Sequence, residues 1–119
     1  MNEDFAAWLD KILETELPSE TVAINFNIYD EEDGTWSVQM IGASRFDEED
    51  DEWACDEVFS TEEDLYVITS DDDWSDVQMQ VVEMIAQYLE EGAKADILNS
   101  YKAVAAGFVD GELVIIDQD

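Results

Sequence analysis

Residues 21–29 read TVAINFNIY, and this stretch decides how the chain folds. From Val22 to Ile28 every second residue is a large apolar one, which is the two-residue period of a strand with one buried face. A similar alternation runs over residues 35–43. The acidic segment between the two stretches ends in Gly34, which supplies a permissive backbone for a turn. Together they predict an antiparallel β-hairpin.

Amphipathic helices are predicted on both sides of this hairpin. Residues 4–16 carry apolar side chains at the i, i+3, i+4, i+7 and i+8 positions of one buried stripe, and Pro18 prevents the helix from continuing. The second helix opens at Asp73, a capping residue, and its stripe runs from Trp74 to Leu89. We therefore place Trp74 in the core.

Shorter apolar runs complete the predicted fold. They lie at residues 53–59, 65–69, 104–109 and 113–116. The Asp110-Gly111 pair predicts a hairpin turn, and the continuous run from Leu113 to Ile116 is typical of a central strand buried on both faces. The order of elements predicts a single α+β domain over residues 1–119. We expect an antiparallel sheet of about five to six strands, with two main helices packed on one face.

The charge of the chain restricts its partners. There are 33 Asp and Glu residues against 4 Lys and Arg and no His, for a formal net charge of −29. Because 46% of the residues are hydrophobic, a folded core is expected rather than a disordered acidic tail. Nucleic acid is disfavoured as a partner, because its phosphates are bound by Lys and Arg. An anionic membrane surface would repel the chain, and no apolar run approaches the length of a membrane span.

The residues that usually carry catalysis are missing or isolated. Cys55 is the single cysteine and has no histidine to activate it, so we expect a small buried apolar side chain in a reducing, cytoplasmic setting. No P-loop, G-x-S-x-G or dinucleotide fingerprint is present. The carboxylates lie in runs without the spacing of a calcium loop, and a solvated surface is the ordinary state of such runs. The sequence predicts no enzyme activity, no cofactor and no dedicated metal site.

The acid runs are the remaining signal, and residues 45–64 alone hold a large share of them. Carboxylates spaced along a folded surface resemble a nucleic-acid backbone electrostatically. An exposed aromatic ring among them would be a binding hot spot, and we nominate Trp53, although packing beneath its own loop is the alternative. The predicted partner-binding residues are Asp30, Glu31, Glu32, Asp33, Asp47, Glu48, Glu49, Asp50, Asp51, Glu52, Trp53, Asp56, Asp71 and Asp72.

A short acidic α+β chain with acid runs around aromatic residues resembles the immunity proteins of bacterial toxin systems, which neutralise basic nuclease toxins. The resemblance is one of size, charge and pattern over the whole chain. It implies tight binding to the active site of a cognate toxin or to an adjacent face, with no catalysis by the chain itself. We expect a monomer or weak dimer whose association with its basic partner slows steeply with added salt.

Two other interpretations remain open at this point. A DNA-mimic or regulatory protein that occupies a host nucleic-acid-binding protein would need the same anionic surface. A housekeeping domain from a salt-adapted organism would use its acids for hydration. The first should compete with DNA for several unrelated basic proteins, and the second should unfold in dilute buffer.

Overall fold

A six-stranded β-sheet forms the centre of the computed structural model of this chain. The structure describes residues 3–15, 17–47, 49–61, 65–108 and 113–118. The strands are β1 (Ala23–Asp30), β2 (Thr35–Ala43), β3 (Glu57–Ser60), β4 (Tyr66–Thr69), β5 (Ala103–Phe108) and β6 (Val114–Gln118).

The sheet is mostly antiparallel. The predicted hairpin is confirmed, because β1 and β2 pair in antiparallel register from Ala23 opposite Ala43 to Asp30 opposite Trp36. The strand order is β3-β2-β1-β5-β6, and β4 pairs with β2 further along the edge that β3 occupies. β5 and β6 are antiparallel, whereas β1 and β5 are parallel. The predicted α+β class is confirmed, with one parallel pair inside the sheet.

Two main helices pack on one face of this sheet, as predicted. α1 spans Glu3–Leu13, α2 spans Trp74–Glu91, and the short α3, Ala95–Asn99, leads into β5. The apolar stripes of α1 and α2 enter one core together with the large side chains of β1. The Tyr88 hydroxyl donates to Asp10 Oδ1, which joins the C-terminal parts of both helices. The C-terminal end of α2 therefore lies beside the C-terminal end of α1.

A 3₁₀ helix, Asp51–Cys55, covers part of the opposite face. The expected strand over residues 53–59 is thus wrong in its first half, since only Glu57–Ser60 is extended. Trp53 inserts its ring into a second core, where small side chains leave room for an indole. The buried residues around it are Ala23, Ile41, Ala43, Ala103 and Ala105.

β5, and not β6, is the strand buried on both faces. Alanines dominate β5, and α2 packs on one side of it while the Trp53 core lies on the other. The prediction of a central strand from Leu113 to Ile116 is wrong, because β6 lies at the sheet edge with Val114 38% exposed. The predicted turn at Asp110-Gly111 lies outside the described residues.

Two further expectations about side-chain burial are wrong. Cys55, the last residue of the 3₁₀ helix, is exposed, whereas a buried side chain was expected. Trp74 is 61% exposed, although its helical position continues the stripe of Val77 and Val81. Trp74 is the first residue of α2 and extends past the main core. There its ring contacts the ring of Phe108, the last residue of β5.

Candidate functional site

The nominated acidic residues lie in two clusters at opposite ends of the β1–β2 hairpin. Thr35, at the start of β2, pairs with Thr69, whereas Ala43, at its end, pairs with Glu57. An extended strand of this length covers about 26 Å at roughly 3.3 Å per residue. We call one group the turn cluster, made of Asp30, Glu31, Glu32, Asp33, Asp71, Asp72 and Asp73. The other is the loop cluster, made of Asp47, Glu49, Asp50, Glu52 and Asp56.

Backbone geometry brings the turn cluster together. Glu32 and Gly34 both adopt left-handed φ angles, 69° and 83°, which reverse the chain between β1 and β2. The Ser70 N–H donates to the Gly34 carbonyl at 2.9 Å, which joins the segment before α2 to the hairpin turn. A Cβ placed on Gly34 would lie 4.0 Å from Asp71 Oδ1. The segment carrying Asp71 to Asp73 therefore lies directly beside the turn.

Local hydrogen bonds orient several carboxylates of the turn cluster. Asp30 Oδ1 accepts from the Glu32 N–H at 2.8 Å. A hydrogen bond from the Thr35 side chain holds the pKa of Asp33 below its ordinary value. Asp73 caps α2 by accepting from the Asp76 N–H at 3.1 Å, and this backbone bond is the main reason for its lowered pKa. All carboxylates of the cluster are exposed.

Trp74 adds an exposed aromatic ring beside these carboxylates. Its ring packs edge-on against Phe108, with centroids 6.0 Å apart at 84°. The Phe108 ring in turn contacts the Trp36 ring, with centroids 5.8 Å apart. The Trp36 indole N–H donates to the Ser70 carbonyl at 3.3 Å. The chain of rings orients Trp74 while its other side remains in solvent. Sequence reasoning missed the exposure of Trp74, although this aromatic directly follows the acid run 71–73, as Trp53 follows the run 47–52.

The loop cluster differs because it contains a cation. Arg45 forms an ion pair with Asp56, and the hydrogen bond that its guanidinium donates to the Asp56 carboxylate is the main cause of the raised pKa of Arg45. Asp47 and Asp50 contribute to the same shift through their charges. Asp50 Oδ1 also accepts from the Glu52 N–H at 3.0 Å and thereby caps the 3₁₀ helix. Glu48 and the side chain of Asp51 lie outside what the structure describes.

Trp53 does not belong to either cluster's surface. Its side chain is 1% exposed and packs edge-on against Phe46, with ring centroids 5.3 Å apart. The expectation that the Trp53 ring is exposed is therefore wrong, because the ring is enclosed by the second core. The alternative considered from the sequence, packing beneath the loop, describes its position.

The few cations of the chain lie away from the turn cluster. Lys102 donates its backbone N–H to Val22, just before β1, at the end opposite the turn. Lys94 follows the C-terminal end of α2. Lys11 is in the last turn of α1, and the C-terminal parts of these two helices are in contact. Arg45 belongs to the loop. These are all 4 Lys and Arg residues of the chain, and within the part that the structure describes no basic side chain lies beside the turn cluster.

Neutral polar side chains lie on the second face of the sheet between the two clusters. Asn25 Nδ2 donates to Asn27 Oδ1 at 2.7 Å, and the Tyr29 hydroxyl donates to Gln39 Oε1 at 2.9 Å. Gln39 Nε2 donates to Ser60 Oγ at 3.0 Å. Asn25 is fully buried, and its Oδ1 has no hydrogen-bond partner among the residues that the structure describes.

In the described ranges, Cys, Asp and Glu side chains nowhere gather in groups of three or more that could hold a metal ion. No helix within those ranges has the length and apolar character needed to cross a bilayer. Comparisons of the chain with protein-family models, with curated proteins and with solved structures each returned no match.

Proposed function

We propose that this chain is an acidic binding protein that neutralises a basic partner, and that it acts in the cytoplasm as an immunity protein against a nuclease toxin. Its formal net charge of −29 supports the proposal, because self-repulsion of this size lowers the stability of a folded domain. A partner of opposite charge removes that repulsion when it binds. Most of the described carboxylates point into solvent, where they are available to such a partner.

A nuclease is a basic protein whose charge complements this surface. Its substrate cleft must bind phosphates, so it is lined with Lys and Arg. An anionic protein that enters or borders the cleft excludes the nucleic acid from the same side chains. Opposite charges also accelerate encounter, towards about 10⁸–10⁹ M⁻¹s⁻¹ at low salt, which suits an inhibitor that must act before damage occurs.

Co-expression with the product of the neighbouring open reading frame tests the proposal. We expect the chain to restore growth of cells that make this product, and to abolish its nuclease activity at a one-to-one ratio. The association rate should fall steeply with added salt. Nuclease activity that persists with excess chain would overturn the proposal for that partner pair.

A panel of unrelated DNA-binding proteins separates this function from DNA mimicry. An immunity protein discriminates among partners through specific contacts, so it should leave most of the panel bound to DNA. If the chain displaces DNA from several unrelated proteins with similar affinity, it is a general DNA mimic instead. The same measurements at matched ionic strength provide the control, because all these affinities depend on salt.

A further inference from the structure

The surface formed by the turn cluster and Trp74 combines an exposed aromatic ring with carboxylates that no basic side chain accompanies. The loop cluster has neither property. There, Arg45 pairs with Asp56, and the neighbouring indole of Trp53 is buried. The two clusters therefore differ in local charge balance and in the apolar contact that each can offer.

We propose that the turn cluster and Trp74 form the docking site for an arginine-bearing segment of the basic partner, with a guanidinium group stacked on the exposed face of the indole. The inference rests on the proposed function and adds to it the place and chemistry of the contact. Tryptophan is the best ring for a cation–π contact, and arginine is the cation most often found there. Arginine also bonds carboxylates in two parallel hydrogen bonds, so one side chain can use both kinds of group at this surface.

The geometry holds the ring ready for this contact. Phe108 supports one edge of the Trp74 indole, so the ring needs little further ordering when a partner binds. Asp73 accepts from the Asp76 N–H in the first turn, and its negative charge offsets part of the positive end of α2 that a cation meets here. Asp71 faces the hairpin turn and places its carboxylate beside the turn residues.

Charge decides the occupant of this surface. A second copy would bring another acidic surface to it, and the two would repel. Nucleic acid and anionic lipid are repelled for the same reason. A basic protein segment is the partner whose charge complements the exposed carboxylates around the ring.

Hexa-arginine and hexa-lysine peptides are suitable probes, titrated into the ¹⁵N-labelled full chain at low salt. We expect hexa-arginine to shift the Trp74 indole signal and the amides of residues 31–34 and 71–76 more than those of residues 49–56. Trp74→Leu should weaken hexa-arginine binding about two- to fivefold, whereas Trp74→Phe should keep most of the affinity. Hexa-lysine binding should change less, because ammonium stacks less well.

A matched pair of double variants tests the location. Glu31→Gln with Asp71→Asn removes two charges from the turn cluster, and Glu49→Gln with Glu52→Gln removes two from the loop cluster. All four side chains are exposed. We expect the first pair to weaken hexa-arginine binding several-fold more than the second, with thermal unfolding confirming that both remain folded.

The outcomes separate this inference from the proposed function. Equal weakening by both pairs, or the absence of hexa-arginine binding at low salt, would overturn the docking site while leaving the nuclease test of the proposed function intact. Conversely, binding localised at Trp74 together with uninhibited nuclease would keep the docking site and reject the immunity function.

Discussion

Trp53 and Trp74 are both tryptophans, but one is buried and the other is exposed. This difference in exposure determines whether each ring contributes to stability or to binding. The Trp53 ring is enclosed by the small side chains of β1 and β5 and by Phe46. The Trp74 ring has protein on one edge and solvent on the other. Burial of a large aromatic ring stabilises a fold, whereas an exposed ring remains available for binding.

Truncation of these two rings should therefore have unequal effects on stability. We expect Trp53→Ala to lower the free energy of unfolding by about 3–5 kcal/mol, because it leaves a cavity in the second core. Trp74→Ala should lower it by less than about 1 kcal/mol, since little surface is buried there. Denaturant unfolding of both variants measures the difference. If Trp74→Ala proves less stable than Trp53→Ala, then Trp74 contributes to the core, which contradicts the exposed position of its ring.

Asn25 provides a second prediction about a single side chain. It is buried, and its Oδ1 has no partner among the described residues; an unsatisfied buried acceptor costs about 1–3 kcal/mol. Asn25→Val removes that acceptor together with the hydrogen bond to Asn27, so we expect a gain of about 1 kcal/mol in the free energy of unfolding. Asn25→Asp, of the same shape, should destabilise strongly because it buries an unpaired charge. A destabilised Val variant would contradict this account.

At the scale of elements, local periodicity predicted most of the fold, and contacts between distant segments account for the rest. The alternation in residues 21–29 and the stripes of α1 and α2 each require only neighbouring residues to be recognised. The parallel pairing of β1 with β5 joins segments far apart in the sequence, and the Asp110-Gly111 signal did not reveal which strand is central. The 3₁₀ helix was missed because its cap, Asp50, lies inside the acid run 47–52, where the sequence shows it only as another charge.

The N-terminal cap of α2 leads to a prediction with a pH dependence. The pKa of Asp73 is lowered from 3.8, mainly by the backbone hydrogen bond from Asp76, so the charged carboxylate stabilises the folded chain. The contribution is fully present above that ordinary value and is lost as the pH falls below it through the lowered pKa. We expect Asp73→Ala to lower Tm at neutral pH, and Asp73→Asn to lower it less, because an amide oxygen can still cap.

Thermal unfolding of the three proteins between neutral and acidic pH measures this effect. The difference in Tm between the parent chain and Asp73→Ala should shrink at the acidic end, since the parent loses the charged cap there. Protonation of the other carboxylates affects all three proteins alike, so it cancels in the comparison. A difference that is constant with pH would show that the charge of Asp73 contributes nothing to the cap.

On the scale of the whole molecule, the acid runs were visible in the sequence, but their division into two clusters was not. The division follows from the hairpin, whose turn and open end are separated by the full length of β2. The segment 71–73 joins the turn only because β4 pairs with the first half of β2. Long-range pairing therefore decides which charges lie together, and this grouping could not be predicted from the sequence alone.

Salt should act in opposite directions on the folding and on the binding of this chain. Between about 0.01 M and about 1 M salt the screening length falls from roughly 30 Å to roughly 3 Å, which weakens repulsion within the fold as well as attraction to a basic partner. We expect the chain to be folded over the whole range, with a Tm that rises with salt, while association with a basic partner slows. A chain that is unfolded at the dilute end would instead be the salt-adapted domain considered from its composition.

The double variants locate the source of this repulsion. In dilute buffer, Glu31→Gln with Asp71→Asn should raise Tm more than Glu49→Gln with Glu52→Gln, because Arg45 already offsets part of the repulsion in the loop cluster. The two variants should converge at high salt, where screening removes the difference. Thermal unfolding across the salt series measures both effects. A persistent gap at high salt would mean that contacts other than charge distinguish the clusters.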